Sequence, residues 1–197
     1  MVTIHMLVAM IILAILITAV YLAEVHRKGG PAKTVTASSG FTWLSVAVVL
    51  LTLVQILIGT QVREQVDEIA IAIGNQNRET WVDQLGGFYA FHKVLWIVVT
   101  GLIVVWVRKL LQLSSNTRIK AFVAILLGSL ALEILMGIVL GNFALPAVAQ
   151  PIHLLIATII FGVEYALVVN VLGIERFLHK EMRLEYYANR QLANAKQ

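Results

Sequence analysis

Three of the five histidines have positions at which they could act together as metal ligands. His5, His92 and His153 each lie near the start of a long apolar segment, whereas His26 and His179 lie among basic residues. Imidazole is a common ligand of iron, copper and zinc. Haem iron takes histidine as an axial ligand, and helical bundles build such sites between facing helices. A zinc or copper site stays open, although the chain has no cysteine and these segments hold no acidic residue at ligand spacing from the histidines.

The composition places these histidines in a membrane protein. The chain is 59% hydrophobic and 13% charged, whereas an ordinary soluble domain is about 45–50% apolar and about 25% charged. A helix of about 20 apolar residues crosses a bilayer core, and in lipid its backbone groups must hydrogen-bond within the segment. The sequence therefore predicts an all-α, polytopic bundle of five transmembrane helices, at residues 2–23, 41–58, 89–111, 121–140 and 153–174.

The distribution of charge predicts the orientation of the bundle. Most of the 15 basic residues lie after the first apolar segment, between the third and fourth, or after the fifth. Cytoplasmic loops carry such an excess. We therefore expect an outer N-terminus, a transmembrane domain at 1–174 and a cytoplasmic tail at 175–197, in the inner (plasma) membrane of a bacterium. Residues 62–73 alternate apolar and acidic residues, which predicts a short helix lying on the outer membrane surface.

Two pairs of segments reveal an internal repeat. LTLVQILIG in the second predicted helix matches SLALEILMG in the fourth, which aligns Gln55 with Glu133 and Gly59 with Gly137. IHMLVAMIIL in the first matches IHLLIATIIF in the fifth, which aligns their histidines. The repeating unit is a pair of helices, the first carrying Gln or Glu and then Gly, the second opening near a His. The first predicted helix resembles the second half of such a unit, so we expect the chain to be truncated at its start.

Other polar residues in or beside the spans are candidates for function. Arg63, just past the outer end of the second span, is a candidate contact for a haem propionate. Gln55, Glu133 and Glu164 lie within spans, where polar groups are costly and are either functional or bonded between helices. Their roles stay open at this point. Three tryptophans have positions typical of interfacial aromatic residues, namely Trp43, Trp81 and Trp106.

The segments GTQVRE and PAVAQPIH, together with a histidine opening the third predicted helix, resemble the haem A synthase family. The resemblance is to its second half plus the last helix of its first half. Members have eight helices in two four-helix halves, and they oxidise a methyl group of haem O to the formyl group of haem A for cytochrome oxidase. The paired outer-loop cysteines and the Cys-Pro-Asp-Trp segment of many members are missing here.

The resemblance implies roles for individual residues. His92 and His153 match the axial ligands of the b-type haem of the second half, and they would bind its iron. His5 matches a histidine of the catalytic half, which makes it a candidate ligand of a second haem site. Tyr89 stands where the catalytic half has a glutamate three residues before its histidine. This difference favours an electron-transferring second half, and no catalytic residue is identified.

The sequence thus leads to a first hypothesis and two alternatives. The first is a haem A synthase-like oxidoreductase with haem b as cofactor, haem O as substrate and haem A as product. Its expected partners are membrane lipid, haem O, a missing N-terminal half or a second copy, and haem O synthase or cytochrome oxidase assembly factors, without nucleic acid. The alternatives are a non-enzymatic b-type cytochrome that carries electrons in the membrane, and a structural or assembly protein. The spans lack an inner pair of histidines, which counts against a two-haem conduit.

Overall fold

The computed structural model describes residues 2–27 and 38–172. They form five long helices, which are α1 (Val2–Arg27), α2 (Ser39–Ala72), α3 (Gly87–Leu113), α4 (Thr117–Asn142) and α5 (Ala149–Leu172). Each is long and apolar enough to cross a membrane, so the prediction of an all-α bundle with five spans is confirmed. The predicted tail at 175–197 lies outside the described residues. We call the end of the bundle that carries His92 and His153 the outer end, following the charge-based prediction.

The prediction of a separate surface helix at 62–73 is wrong, because α2 continues unbroken to Ala72. The chain from residue 60 to residue 73 contains neither glycine nor proline, and these are the residues that usually end helices. An ion pair one turn apart, Arg63 to Asp67 at 2.5 Å, also lies on this extension. With 34 residues, α2 is about 51 Å long. It ends where Gly74 adopts a positive φ of 64°.

The helices pack as two pairs joined at the centre. The most extensive contacts are those of α2 with α3 and of α4 with α5, while α2 also meets α5 and α1 packs against both. Trp106 lies fully buried in the main core, where its indole N–H donates to the Ser45 hydroxyl at 2.9 Å. Its prediction as an interfacial residue is therefore wrong, because Ser45 satisfies the polar edge that would otherwise seek the interface.

A small cluster, which we call the outer cap, closes the outer end of the bundle. It consists of Val66 and Ala70 from the extension of α2, Trp81 from the following loop and Leu145 from the turn between α4 and α5. The Trp81 indole N–H donates to the carbonyl oxygen of Gln76 at 2.9 Å. Trp81 is buried, contrary to the interfacial prediction, because the extended α2 provides an apolar surface for it.

Arg78 ties the outer cap to the turn before α5. Its Nε donates to the carbonyl oxygen of Ala144 at 2.9 Å and its Nη2 to that of Leu145 at 2.5 Å. The Gln150 amide donates to the same Leu145 oxygen at 3.0 Å, and the Arg78 guanidinium lies 4.8 Å from the centre of the Trp81 ring. These contacts fix the point at which the chain enters α5, four residues before His153.

The same turn holds two non-glycine residues in the left-handed region. Ala144 has φ 55° and Leu145 has φ 51°, a conformation that costs about 1–2 kcal/mol for an L-residue. We expect Ala144→Gly to raise the free energy of unfolding by about 1 kcal/mol, since glycine adopts this φ without that cost. Thermal unfolding in detergent measures it. Ala147→Gly, in the same turn but without a positive φ, is the control and should not stabilise. Equal effects of the two changes would contradict the strain argument.

Candidate functional site

The structure brings His92 of α3 and His153 of α5 together at the outer end. Their ring centres are 6.5 Å apart and the ring planes differ by 76°. A metal–imidazole bond is about 2 Å long, so two imidazoles on opposite sides of one metal ion have centres roughly 6 Å apart. The separation of these two rings is therefore compatible with a single metal ion between them.

Two glycines on the neighbouring helices let each ring lie against a helix backbone. A Cβ atom on Gly59 of α2 would lie 3.2 Å from Cε1 of His92, and one on Gly137 of α4 would lie 3.7 Å from Cε1 of His153. These are the glycines that the sequence repeat aligns. In each unit, a glycine on the first helix thus faces the histidine on the second.

The polar residue one turn before each glycine contacts the same histidine. The Gln55 amide donates to the carbonyl oxygen of His92 at 3.2 Å, and its Nε2 lies 3.4 Å from Nε2 of that ring. Oε1 of Glu133 lies 3.1 Å from Nδ1 of His153. Four buried atoms here make no hydrogen bond of full geometry within the described residues, namely Gln55 Oε1, His92 Nδ1, Glu133 Oε2 and His153 Nδ1. Buried polar atoms without a hydrogen-bond partner destabilise a protein core. A cluster of them is typical of a site that binds a further group.

The other two predicted site residues lie on the surface. His5 is exposed on α1, beside Thr3, whose hydroxyl lies 2.8 Å from that of Thr60 on α2. Arg63 forms its ion pair with Asp67 while both side chains stay partly exposed. The contact of Arg63 with a propionate and the role of His5 at a second haem site stay predictions.

Glu164 marks a second, deeper polar position. It is fully buried on α5, about 16 Å further along the helix than His153. Thr52 of α2 is its polar neighbour, yet neither carboxyl oxygen forms a hydrogen bond to any residue that the structure describes. Intramembrane carboxyls of this kind face the bundle interior, as here.

Sequence reasoning missed two contacts that shape the site. Tyr89, one turn before His92, has its hydroxyl 3.1 Å from where a Cβ on Gly141 would lie. The four-residue spacing of Gly137 and Gly141 was a signal for such close packing. Arg78, by contrast, had no local signal, because its partners are backbone carbonyls far along the chain.

The chain is similar to a known family of membrane proteins. Residues 1–164 match the model of the family described as cytochrome oxidase assembly protein, COX15-CtaA. The chain belongs to this family. As a member of the cytochrome oxidase assembly protein family, it is a multi-pass membrane protein with a role in cytochrome oxidase assembly, and the family is associated with haem A synthesis. The resemblance to the haem A synthase family is thereby confirmed. Among curated proteins and among solved structures, none matches the chain.

Proposed function

We propose that this chain is a haem A synthase-like membrane oxidoreductase that supplies mainly the b-haem-binding second half of the site. Its reaction is the oxidation of haem O to haem A for cytochrome oxidase. The observation that carries the proposal is the pairing of His92 and His153 at 6.5 Å, each held by an equivalent helix of the repeat. Family membership supports haem as the group concerned.

The donor set of the site fits haem better than a bare metal ion. Within residues 2–27 and 38–172, no group of three or more His, Cys, Asp or Glu side chains could hold a metal ion. A tetrahedral zinc site takes three or four protein ligands. Haem brings four nitrogen ligands in its own ring, so the two imidazoles of His92 and His153 would be enough to hold it.

The residues of the chain have distinct tasks in this proposal. His92 and His153 would hold the iron of haem b, and haem would supply reversible one-electron transfer there. Gly59 and Gly137 keep side chains out of the space that the two rings occupy. Arg63 contacts a propionate, and His5 is a ligand at a second haem site. The proposed setting is the inner (plasma) membrane of a bacterium.

The proposed partners follow from this reaction. They are membrane lipid, haem O, haem O synthase and cytochrome oxidase assembly factors. A second copy of the chain or a separate N-terminal half would provide the ligand that faces His5.

Spectra of the purified protein test the haem site. Reduced-minus-oxidised spectra and a pyridine haemochrome assay should show a b-type haem in the wild type. His92→Ala and His153→Ala should each lose it, because one axial ligand is removed. His26→Ala is the control, since this exposed side chain on α1 belongs to neither proposed haem site, and it should keep the b-type spectrum. A wild type without haem, or histidine variants that retain its normal spectrum, would contradict the assignment.

Extraction of haems separates the enzyme from the electron carrier. The chain is produced in membranes that contain haem O, and the extracted haems are identified by mass. Haem A that depends on the wild-type chain supports the proposed oxidation. Bound haem b without any haem A would favour the non-enzymatic b-type cytochrome.

A further inference from the structure

The two histidines of the site are held by different chemical means, although the repeat makes their surroundings equivalent. Gln55 and Glu133 occupy matching positions, one turn before the paired glycines. Glu133 presents a carboxyl oxygen to the ring of His153 at 3.1 Å. Gln55 instead donates its amide hydrogen to the backbone carbonyl of His92 at 3.2 Å. Nε2 of Gln55 also lies 3.4 Å from Nε2 of the His92 ring, so both residues contact the ring of their histidine, but only Glu133 offers the ring a carboxyl oxygen as acceptor.

We propose that Glu133 is a positioning residue, which accepts the Nδ1 hydrogen of His153 and thereby orients this imidazole and strengthens it as a ligand. This inference rests on the proposed function of the histidine pair. It assigns to Gln55 a different task, the anchoring of α3 to α2 through the carbonyl oxygen of His92, because its amide nitrogen offers the ring of His92 no acceptor.

An imidazole has two ring nitrogens, of which one can bind a metal ion while the other donates a hydrogen bond. A metal-binding histidine almost always donates its other ring N–H to a carboxylate, a carbonyl or water, which fixes the tautomer and raises the basicity of the ligand. Contact of Glu133 with Nδ1 leaves Nε2 of His153 for the metal. The remaining Glu133 oxygen, Oε2, is buried without a hydrogen-bond partner in the described part of the chain, so its carboxyl has no competing contact there.

Gln55 presents a different chemical group to the ring of His92. Its Nε2 is a donor, so this atom cannot accept a hydrogen from the ring of His92. Nδ1 of His92 is buried and makes no hydrogen bond to any described residue. Nδ1 of His153 is likewise without a hydrogen bond of full geometry, but the carboxyl oxygen Oε1 of Glu133 lies 3.1 Å from it, whereas Gln55 presents only a nitrogen to the ring of His92. The two histidines would therefore be ligands of unequal basicity, and His153, as the stronger one, would favour ferric over ferrous haem.

Variants at the two matching positions test this inference in the haem-loaded protein. Glu133→Gln keeps the shape and a weaker acceptor, Glu133→Leu removes the acceptor, and Gln55→Leu removes the side chain at the matching position. Asn142→Leu, at an exposed residue of α4, is the control. The measurements are haem affinity by titration of the apo-protein, midpoint potential by redox titration and ring orientation by electron paramagnetic resonance. Circular dichroism checks that each variant is folded.

We expect Glu133→Leu to lower haem affinity by roughly 10–100-fold, the usual effect of losing an outer partner of a ligand. The Glu133→Gln protein should bind haem with nearly unchanged affinity, but its midpoint potential should be higher. A tenfold change in the preference for ferric over ferrous haem equals about 59 mV. Gln55→Leu should shift the potential less than Glu133→Leu does, and Asn142→Leu should leave it unchanged.

The possible failures are distinguishable. A wild type that binds no haem overturns the proposed function and this inference with it. A wild type that binds haem, together with Glu133→Gln and Glu133→Leu proteins of unchanged potential and affinity, overturns only the inference. The contact would then serve solely to pack α4 against α5.

Discussion

Gly59→Leu is expected to remove the b-type haem spectrum as completely as loss of His92 itself. A single Cβ at this position already lies 3.2 Å from Cε1 of His92, closer than ordinary van der Waals contact. A leucine side chain must therefore push the imidazole away from the helix backbone. Displacement of an axial ligand should lower haem affinity on the order of 10–100-fold or more. The measurement is haem content per protein by pyridine haemochrome, on protein that remains monodisperse in detergent.

Two other glycines provide controls for this prediction. Gly128→Leu, on α4, adds the same side chain where no atom lies within 4 Å of the new Cβ, so haem content should not change. Gly137→Ala places its Cβ 3.7 Å from His153, an ordinary contact, and should be tolerated. Normal haem in Gly59→Leu would mean that His92 does not need its close approach to α2. Loss of haem in Gly128→Leu would mean that membrane helices here tolerate no added bulk, irrespective of the site.

Trp81→Ala is expected to lower the free energy of unfolding by about 3–5 kcal/mol, the usual cost of removing a buried tryptophan. Trp81 is only 3% exposed in the outer cap. The change also removes its hydrogen bond to Gln76 and its stacking with Arg78. Reversible unfolding in mixed detergent micelles measures the loss, and a lower haem content should accompany it because the cap fixes the start of α5.

Trp43→Ala is the matched control, since this side chain is 73% exposed. Exposed substitutions of this kind usually change the free energy of unfolding by less than about 0.5 kcal/mol. If Trp81→Ala were as mild as Trp43→Ala, the outer cap would contribute nothing to the stability of the bundle.

The sequence predicts the five helices well because lipid imposes one simple rule, a long apolar helix, on every crossing. It predicts less well which faces of those helices meet. In a membrane, the face toward lipid and the face toward protein are both apolar, so hydropathy did not show that Trp106 turns inward to Ser45. Nor did it show that α2 continues past the span to build a surface for Trp81.

The histidine pair was predictable because the internal repeat encodes it twice. Gln55 and Gly59 lie beside His92 in the structure. Glu133 and Gly137, which the repeat aligns with them, lie beside His153. The hydrogen bonds from Arg78 to the carbonyl oxygens of Ala144 and Leu145 were not predictable. An arginine that donates to distant backbone oxygens leaves no pattern in the local sequence. The different contacts of Gln55 and Glu133 with their histidines likewise became visible only from the distances in the structure.

The unbroken length of α2 makes the hydration of the histidine pair depend on membrane thickness. Gln55, which marks the level of the pair, lies about 24 Å along the helix from Ser39. A hydrocarbon core is about 30 Å thick, so a bilayer that meets α2 near Ser39 ends only a little beyond the pair. Since a rigid helix does not shorten, a thinner bilayer would leave the imidazoles among headgroups and water, whereas a thicker one would cover more of the extension below the outer cap.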